Sequence, residues 1–271
     1  MSRSTFHDNA VIITGASSGI GRALAVQLAD QGARLSLAAR TEDRLDRVAA
    51  ECRERGARVL VAPTDVAEED QCRALIEQAA AEFGRIDTLI NNAGLGLFSK
   101  IDDLPDLSLL ERVTQVNYLG SVYCTYHALP HLKRSRGRIV GVSSLLGRFA
   151  MPWSAAYCGS KHAMTGFFDA LRMALKRHGV SVTMVYPGYV VTEFGENLLE
   201  ANGEPAGERA RAFSRQGMMT AETCARITLR AAARRRREVN MTLRGKLALL
   251  GRLAAPWILD WFMLRMARTR T

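Results

Sequence analysis

The chain has 271 residues, of which 48% are hydrophobic and 22 are glycine. This length and composition suit a single α/β domain with a large core, and they exclude a disordered or collagen-like chain. The formal net charge of +10 suits an anionic partner. No helix-turn-helix or basic-aromatic pattern supports nucleic acid, so we expect none.

The five cysteines include no C-x-x-C pair, which favours reduced thiols and a cytoplasmic protein. His127 and His131 have a helical spacing that could bind metal, but no third ligand accompanies them, so we expect no metal site. The first residues contain no long apolar stretch, and we therefore expect no signal peptide.

Short apolar runs alternate with amphipathic segments, which is typical of parallel strands joined by crossover helices. The predicted strands are Ala10–Thr14, Arg34–Ala39, Arg58–Val61, Ile86–Ile90, Gly137–Ser143, Val180–Tyr186 and Glu238–Thr242. The predicted helices are Gly19–Gln31, Glu42–Arg55, Glu68–Phe83, Leu109–Lys133 and Ala155–His178. We therefore predict an α/β fold, with a Rossmann-like, doubly wound, mainly parallel seven-stranded sheet and helices on both faces. The sheet would lie in one domain spanning residues 1–271.

Two segments fall outside this alternation. Residues 194–219 are polar and rich in turn residues, and a connection of this length is a candidate substrate lid. Residues 244–271 form an amphipathic extension, apolar and basic together, which Pro256 divides. This extension is too short and too charged for a membrane span. Two interpretations stay open: packing on a partner subunit or across the pocket mouth, and an in-plane helix on a membrane surface.

Tyr157 and Lys161 stand four residues apart in a predicted helix, and Ser144 follows a predicted strand. Residues four apart share one helix face, so the Lys161 ammonium can lie beside the phenol. Because an opposite charge favours the ionised form, we expect Lys161 to lower the pKa of Tyr157 below its usual ~10. The Ser144 hydroxyl is suited to hold a substrate carbonyl. Together, these three side chains could transfer a proton while a hydride is transferred at a different atom of the substrate.

A glycine-rich loop joins the first predicted strand to the first predicted helix, with the sequence TGASSGIG at 14–21. Glycines at this place permit a tight turn and a close approach of a pyrophosphate to the helix N-terminus. The predicted cofactor contacts in the loop are Gly15, Ser17, Ser18, Gly19, Ile20 and Gly21.

The second predicted strand ends at Ala39-Arg40-Thr41, without the acidic residue that would bind the ribose hydroxyls of NAD. A guanidinium can instead bind a 2′-phosphate in bidentate fashion. We therefore predict the cofactor NADP(H), selected by Arg40 with help from Ser17 and Thr41.

Several motifs occur together in one order: TGASSGIG, Asp65-Val66, NNAG at 91–94, Asn117, Ser144, Tyr157-x-x-x-Lys161 and PG-x-x-x-T at 187–192. Over roughly residues 8–195 they resemble the short-chain dehydrogenase/reductase family of the single-domain type. The resemblance implies a catalytic tetrad of Asn117, Ser144, Tyr157 and Lys161, in which Asn117 holds a water that relays protons to Lys161. It also implies further cofactor contacts: Asp65, Val66, Asn91, Ala93, Gly94, Tyr157, Lys161, Pro187, Gly188, Val190 and Thr192.

The predicted function is an NADP(H)-dependent oxidoreductase that interconverts an apolar ketone or aldehyde and its alcohol, with Tyr157 as general acid and base. The expected substrate-binding residues are Ser144, Leu145, Phe149, Tyr157, Tyr189 and Phe194. One alternative is a 3-oxoacyl-thioester reductase acting on an acyl carrier protein, and another is a non-catalytic NADP(H)-binding scaffold or sensor. The resemblance implies a homodimer or homotetramer. We expect a cytoplasmic protein, with membrane-peripheral contact through the extension as the alternative.

Overall fold

A computed structural model of the protein describes residues 4–195, 198–206 and 218–268. Its strands are β1 (Ala10–Thr14), β2 (Arg34–Ala39), β3 (Val59–Pro63), β4 (Thr88–Asn91), β5 (Arg138–Val142), β6 (Ser181–Tyr186), β7 (Val190–Val191), β8 (Met219–Thr220) and β9 (Glu238–Asn240). Its helices are α1 (Gly19–Ala29), α2 (Glu42–Glu54), α3 (Glu69–Phe83), α4 (Ser108–Thr114), α5 (Gly120–Ser135), α6 (Ala155–Leu175), α7 (Ala221–Ala233), α8 (Leu243–Ala254) and α9 (Pro256–Arg268).

Seven strands form one parallel sheet in the order β3-β2-β1-β4-β5-β6-β9. The chain proceeds from β1 outwards to β3, returns to β4 beside β1, and then proceeds outwards to β9. The predicted Rossmann-like, seven-stranded parallel sheet is therefore confirmed. In such a sheet ligands bind at the carboxyl ends of the strands, where the direction of winding reverses. That place is at the carboxyl ends of the neighbouring strands β1 and β4.

Apolar side chains cover both faces of the sheet. On one face Leu24, Leu45 and Leu229 bring α1, α2 and α7 into a buried cluster. On the other, Leu75 of α3 and Phe168 of α6 belong to a second cluster, together with residues of α5. Since strands buried on both faces are apolar along their whole length, the alternation seen in the sequence follows from this layered packing.

The predicted single helix Leu109–Lys133 is wrong in one respect, because the observed helix is interrupted. A π-helical turn at Gln115–Leu119 separates α4 from α5. A Cβ on Gly120 would lie 2.7 Å from the carbonyl oxygen of Val66, so α5 begins where the loop after β3 approaches it closely. Turns of this kind frequently occur at functional sites.

The described part of the predicted lid at 194–219 packs across the chain that follows β4. Leu199 forms a parallel bridge with Leu97 and an antiparallel bridge with Pro205. Leu199 is buried in a small cluster with Leu97, Val113 and other residues. Residues 196–197 and 207–217 of the predicted lid lie outside the described residues.

The predicted extension at 244–271 contains α8 and α9, and Pro256 is the first residue of α9. The first turn of α8 lies against the loop after β5, because a Cβ on Gly245 would come within 2.5 Å of the Leu145 side chain. Within the described ranges, every helix is too short or too polar to cross a bilayer. Residues 269–271 are outside the described part of the chain.

Candidate active site

The glycine-rich loop follows β1 and lies against the chain after β4. Gly15 has a φ of +64°, and a Cβ there would lie 2.8 Å from the Cα of Ala93. A Cβ on Gly21 would overlap the carbonyl oxygen of Gly15. The turn into α1 therefore requires glycine at both positions. Ser18 is the N-cap of α1 but makes no side-chain capping bond, and the first turn carries no acidic residue. The first turn therefore receives no capping bond from the Ser18 side chain, and its amides suit an anion such as a pyrophosphate.

Two residues that the sequence analysis missed hold this loop in place. The Thr14 hydroxyl accepts hydrogen bonds from the backbone N–H groups of Asn92, at 3.0 Å, and Ala93, at 3.1 Å. The Asn92 side-chain amide donates to the carbonyl oxygens of Thr14, at 3.0 Å, and Gly15, at 3.1 Å. These four bonds join the carboxyl ends of β1 and β4. In the sequence, these two residues could have been found as the hydroxyl residue directly before the first glycine of the loop and the second asparagine of the NNAG motif.

The predicted adenine-side residues follow β3. The Asp65 carboxylate accepts a hydrogen bond of 3.0 Å from the backbone N–H of Ala67, which closes a turn. Val66 is buried beside α5. Both therefore lie at the same carboxyl-terminal edge of the sheet as the glycine-rich loop.

Asn91 and Gly94 lie below and beside the loop. The Asn91 amide donates to the Thr125 hydroxyl at 2.9 Å, while its carbonyl oxygen is buried with no partner among the described residues. A Cβ on Gly94 would lie 3.4 Å from Oδ1 of Asn117 and 3.6 Å from Nζ of Lys161. Asn91 thus braces the sheet, and Gly94 leaves room next to two residues of the predicted tetrad.

The segment after β6 lies across the opening from α1. The carbonyl oxygen of Pro187 accepts a 3.0 Å bond from the N–H of Leu145, and Val190 pairs with Met219. A Cβ on Gly19 would lie 3.0 Å from the Thr192 side chain. Gly188 lies between the Leu145 and Thr242 side chains. The predicted residues 187–192 therefore extend from the loop after β5 to the start of α1.

Ser144, Tyr157 and Lys161 come together at the carboxyl end of β5. The Tyr157 hydroxyl lies beside the Ser144 side chain, which acts to lower the pKa of the phenol. Ser144 also caps a short 3₁₀ turn, since its hydroxyl accepts a 3.1 Å bond from the N–H of Leu146. The Lys161 ammonium donates to the Val142 carbonyl oxygen at 3.2 Å and lies 5.9 Å from the centre of the Tyr157 ring. The lysine is therefore fixed between β5 and the tyrosine.

The expectation that the pKa of Tyr157 lies below its usual value is wrong for this structure, because the net shift is upwards. Burial raises the pKa of Tyr157 to about 12, and the Ser144 side chain acts in the opposite direction without cancelling it. Lys161 faces the ring and the Val142 carbonyl. Burial also lowers the pKa of Lys161 to about 8, because only 3% of its surface is exposed. At neutral pH this site therefore contains a neutral phenol and a mostly protonated lysine.

Asn117 lies in the π-helical turn and is completely buried. Its Oδ1 accepts a 2.7 Å bond from the N–H of Leu95, and its Nδ2 donates to the Leu95 carbonyl oxygen at 2.9 Å. Nδ2 also approaches the Ser160 hydroxyl, at 3.0 Å. These contacts link the π turn to the chain after β4 and to α6. The water relay implied by the family resemblance stays a prediction.

Ser143, the residue before Ser144, makes a different contact. Its hydroxyl donates to the Lys161 carbonyl oxygen at 3.3 Å and is buried. Ser143 therefore connects β5 to α6, while Ser144 contacts the tyrosine hydroxyl.

Arg40 lies at the end of β2 with its side chain exposed. The glycine-rich loop is tied to the same strand end, because the N–H of Ala16 donates to the Ala38 carbonyl oxygen at 3.1 Å. Within the described ranges Arg40 has no hydrogen-bond or ion-pair partner. Thr41 is the N-cap of α2 without a side-chain capping bond, and Ser17 is half-buried in the loop. These residues leave a cationic group open to solvent beside the loop.

The predicted substrate-binding residues differ in exposure. The Phe194 ring lies 6.2 Å from the Tyr157 ring, centre to centre, and is 38% exposed. Leu145 follows Ser144 and is half-buried, whereas Phe149 is buried. Tyr189 is 55% exposed. Phe194 is thus the aromatic side chain that covers the predicted proton donor.

The sheet topology and the open amides at α1 are those of dinucleotide-binding proteins. A tyrosine and a buried lysine beside that site narrow the class to oxidoreductases that act on alcohols and carbonyls. A family model described as short chain dehydrogenase matches residues 9–203. The chain belongs to this family, whose members bind a nicotinamide cofactor.

Relatives and solved structures agree with this assignment. The chain is 35% identical to 11-beta-hydroxysteroid dehydrogenase 1A of Arabidopsis thaliana, over 93% of this chain and 73% of that protein. It is 39% identical to human dehydrogenase/reductase SDR family member 7, over 86% of this chain and 69% of the relative.

Two solved structures are also similar. A short-chain dehydrogenase/reductase from Burkholderia phymatum in complex with NAD has a TM-score of 0.79 and 28% identity, covering 88% of this chain and 90% of that one. An alcohol dehydrogenase from Thermococcus sibiricus complexed with 5-hydroxy-NADP has a TM-score of 0.69 and 27% identity, covering 81% and 88%.

Proposed function

We propose that the protein is an NADP(H)-dependent oxidoreductase that interconverts an apolar ketone or aldehyde and the corresponding alcohol. The observation that carries this proposal is the contact of the Tyr157 hydroxyl with Ser144, next to a lysine fixed by the Val142 carbonyl. The nicotinamide supplies or accepts the hydride when it is bound. The backbone amides at the start of α1 and the glycines of the loop would hold the pyrophosphate of the dinucleotide.

In the reductive direction Tyr157 donates its proton to the substrate oxygen. Ser144, which lies beside Tyr157, directs its single O–H to the substrate oxygen as negative charge develops there. The phenolate left on Tyr157 forms in a half-buried place, where an unpaired anion is costly. The Lys161 ammonium lies 5.9 Å from the ring centre and stabilises that anion. In the oxidative direction the same groups carry the alcohol proton the other way.

The preference for NADP(H) rests on Arg40. A guanidinium that has no partner among the described residues can bind a 2′-phosphate through two charge-assisted hydrogen bonds. The solved relatives leave the choice open, since one is in complex with NAD and another with an NADP analogue.

An apolar substrate is supported by the side chains near the tyrosine and by the relatives. The Phe194 ring lies against the Tyr157 ring. The Phe98 and Trp153 rings form a second aromatic pair, with their centres 5.7 Å apart. Several relatives are named 11-beta-hydroxysteroid dehydrogenase. We propose a steroid-like or lipid-like carbonyl compound as the substrate class.

Consumption of NADPH and of NADH should be measured across steroid ketones, fatty aldehydes, aromatic ketones and acyl-carrier-protein thioesters. We expect turnover with NADPH and a free apolar carbonyl compound. Turnover confined to carrier thioesters would replace this proposal with the thioester reductase. Tight NADPH binding without turnover on any member of the panel would favour the non-catalytic scaffold.

A further inference from the structure

Helix α8 presents an apolar stripe to solvent. Leu243, Leu247, Leu250 and Leu253 recur at three- and four-residue intervals and are between 58% and 83% exposed. The opposite side of the helix faces the protein, where Gly245 meets Leu145 and the Arg252 guanidinium lies 3.3 Å from Nε2 of His162. A surface helix of a globular protein normally has the reverse arrangement, with its apolar stripe on the core.

Helix α9 continues this surface with aromatic side chains. Trp257, Ile258, Trp261, Phe262 and Leu264 are each more than half exposed, while Met263 turns inwards. The Arg265 guanidinium lies 5.4 Å from the centre of the Trp261 ring. We call the outward residues of α8 and α9 the C-terminal apolar face. Contiguous exposed apolar residues of this kind mark an interaction site.

We propose that the C-terminal apolar face docks in the plane of an anionic lipid surface. Five lysines and arginines and a single aspartate occur in residues 243–268. The segment is therefore strongly cationic as well as apolar. Tryptophan and arginine side chains have an apolar body and a polar end, which suits the boundary between headgroups and acyl chains. Anionic headgroups complement the positive charge of the lysines and arginines that lie among the leucines and tryptophans of this segment.

A second copy of the chain complements this face less well. A twofold interface brings the same patch of two subunits together, so each cationic segment would meet an identical one. Like charges at close range oppose association, whereas an anionic bilayer attracts them.

The proposed docking brings the active site close to the lipid. The first turn of α8 contacts Leu145, which directly follows Ser144. A protein docked through α8 and α9 would therefore hold the loop after β5 near the source of an apolar substrate. Membrane binding itself does not depend on the proposed reaction, so it can be measured separately.

The test is co-sedimentation of the full chain with phosphatidylcholine vesicles that contain or lack phosphatidylserine. The double variant Trp257→Gln/Trp261→Gln removes two exposed aromatic side chains. We expect binding to anionic vesicles and at least a tenfold weaker binding of the variant, since each buried aromatic ring contributes more than about tenfold. The matched control is Tyr126→Gln/Met173→Gln, which changes two comparably exposed side chains elsewhere (66% and 65%) and should bind as the wild type does.

Two further measurements separate the sources of binding. Arg265→Gln should weaken binding about fivefold on the anionic vesicles only. Tryptophan emission should shift to the blue on binding, and the shift reports the two exposed tryptophans because Trp153 is already buried.

The proposal is overturned if the wild type fails to bind anionic vesicles. It is equally overturned if the tryptophan variant binds as the wild type does, or if its only change is the loss of a concentration-dependent dimer. An unchanged melting temperature would show that the variant is folded.

Discussion

The active-site edge of the sheet buries polar side chains, whereas the C-terminal apolar face exposes apolar ones. At the edge, the polar groups of Asn117 and Lys161 are buried and bonded to backbone oxygens. On α8 and α9, leucines and tryptophans stay in solvent. The difference separates two kinds of functional residue. Those with partners inside the chain affect stability as well as chemistry, whereas those with partners outside affect binding alone.

The largest loss of stability is expected where an internal contact leaves no room. Gly21→Ala would place a methyl group on the Gly15 carbonyl oxygen. Because the atom it meets is backbone, the loop or α1 must move, and we expect a loss of about 3 kcal/mol or more in the free energy of unfolding. Urea unfolding measures this, together with a weakened nucleotide affinity.

Gly166→Ala is the control for that experiment. Gly166 lies in α6, and a Cβ there has no neighbour within 4 Å in the described residues. The substitution should stabilise the protein by about 0.5–1 kcal/mol, as alanine does in a helix interior. Equal losses for both variants would contradict the role assigned to the loop.

The buried lysine should make stability depend on pH. Its pKa is lowered from 10.5 to about 8 in the folded state, so between those values the unfolded chain binds more protons. The free energy of unfolding therefore rises with pH across this window, by on the order of 3 kcal/mol in total. Below about pH 8 the lysine is protonated in both states, so this stabilisation is absent.

Lys161→Met should lack that increase. The measurement is the difference in urea unfolding between wild type and variant at the two ends of the window, without added nucleotide. Lys133→Met removes an exposed lysine and controls for the loss of a positive charge. A wild-type curve that runs parallel to that of Lys161→Met would contradict the burial of this ammonium.

A residue with an outside partner should leave stability nearly unchanged. Arg40→Asp is expected to alter the free energy of unfolding by less than about 0.5 kcal/mol. It should weaken NADPH binding about ten- to a hundredfold and improve NADH binding, because two charge-assisted hydrogen bonds are replaced by repulsion. Nucleotide titration measures both affinities.

Arg44→Asp makes the same charge reversal four residues later, in the first turn of α2, and is the matched control. An unchanged preference for NADPH in Arg40→Asp, or an equal change in Arg44→Asp, would remove Arg40 from the cofactor assignment.

The strands could be predicted well from the sequence. Buried parallel strands are short apolar runs between charged helices, and β1 and β2 match their predicted bounds. The π-helical turn could not be predicted, because it depends on contacts of Asn117 and Gly120 with residues far away in the chain. Likewise, Thr14 and Asn92 are 78 positions apart, and only the paired strands bring them together.

The spacing of Tyr157 and Lys161 indicated that the two residues share a helix face, but not how deeply they lie. Burial decides the direction of both pKa shifts, which is why the expected lowering for Tyr157 was wrong. In the extension, the sequence pattern showed that apolar and basic residues are mixed. Only the packing of α8 and α9 shows which side of each helix faces solvent.

The role of Tyr157 as proton donor is tested most directly by kcat and the NADPH dissociation constant of Tyr157→Phe, measured with an apolar ketone that the wild type reduces. The phenyl ring keeps the contact with Phe194 and loses only the hydroxyl. We expect kcat to fall by about a hundredfold or more, as for the loss of a general acid, with the dissociation constant unchanged. A variant that keeps kcat close to the wild-type value would contradict the account.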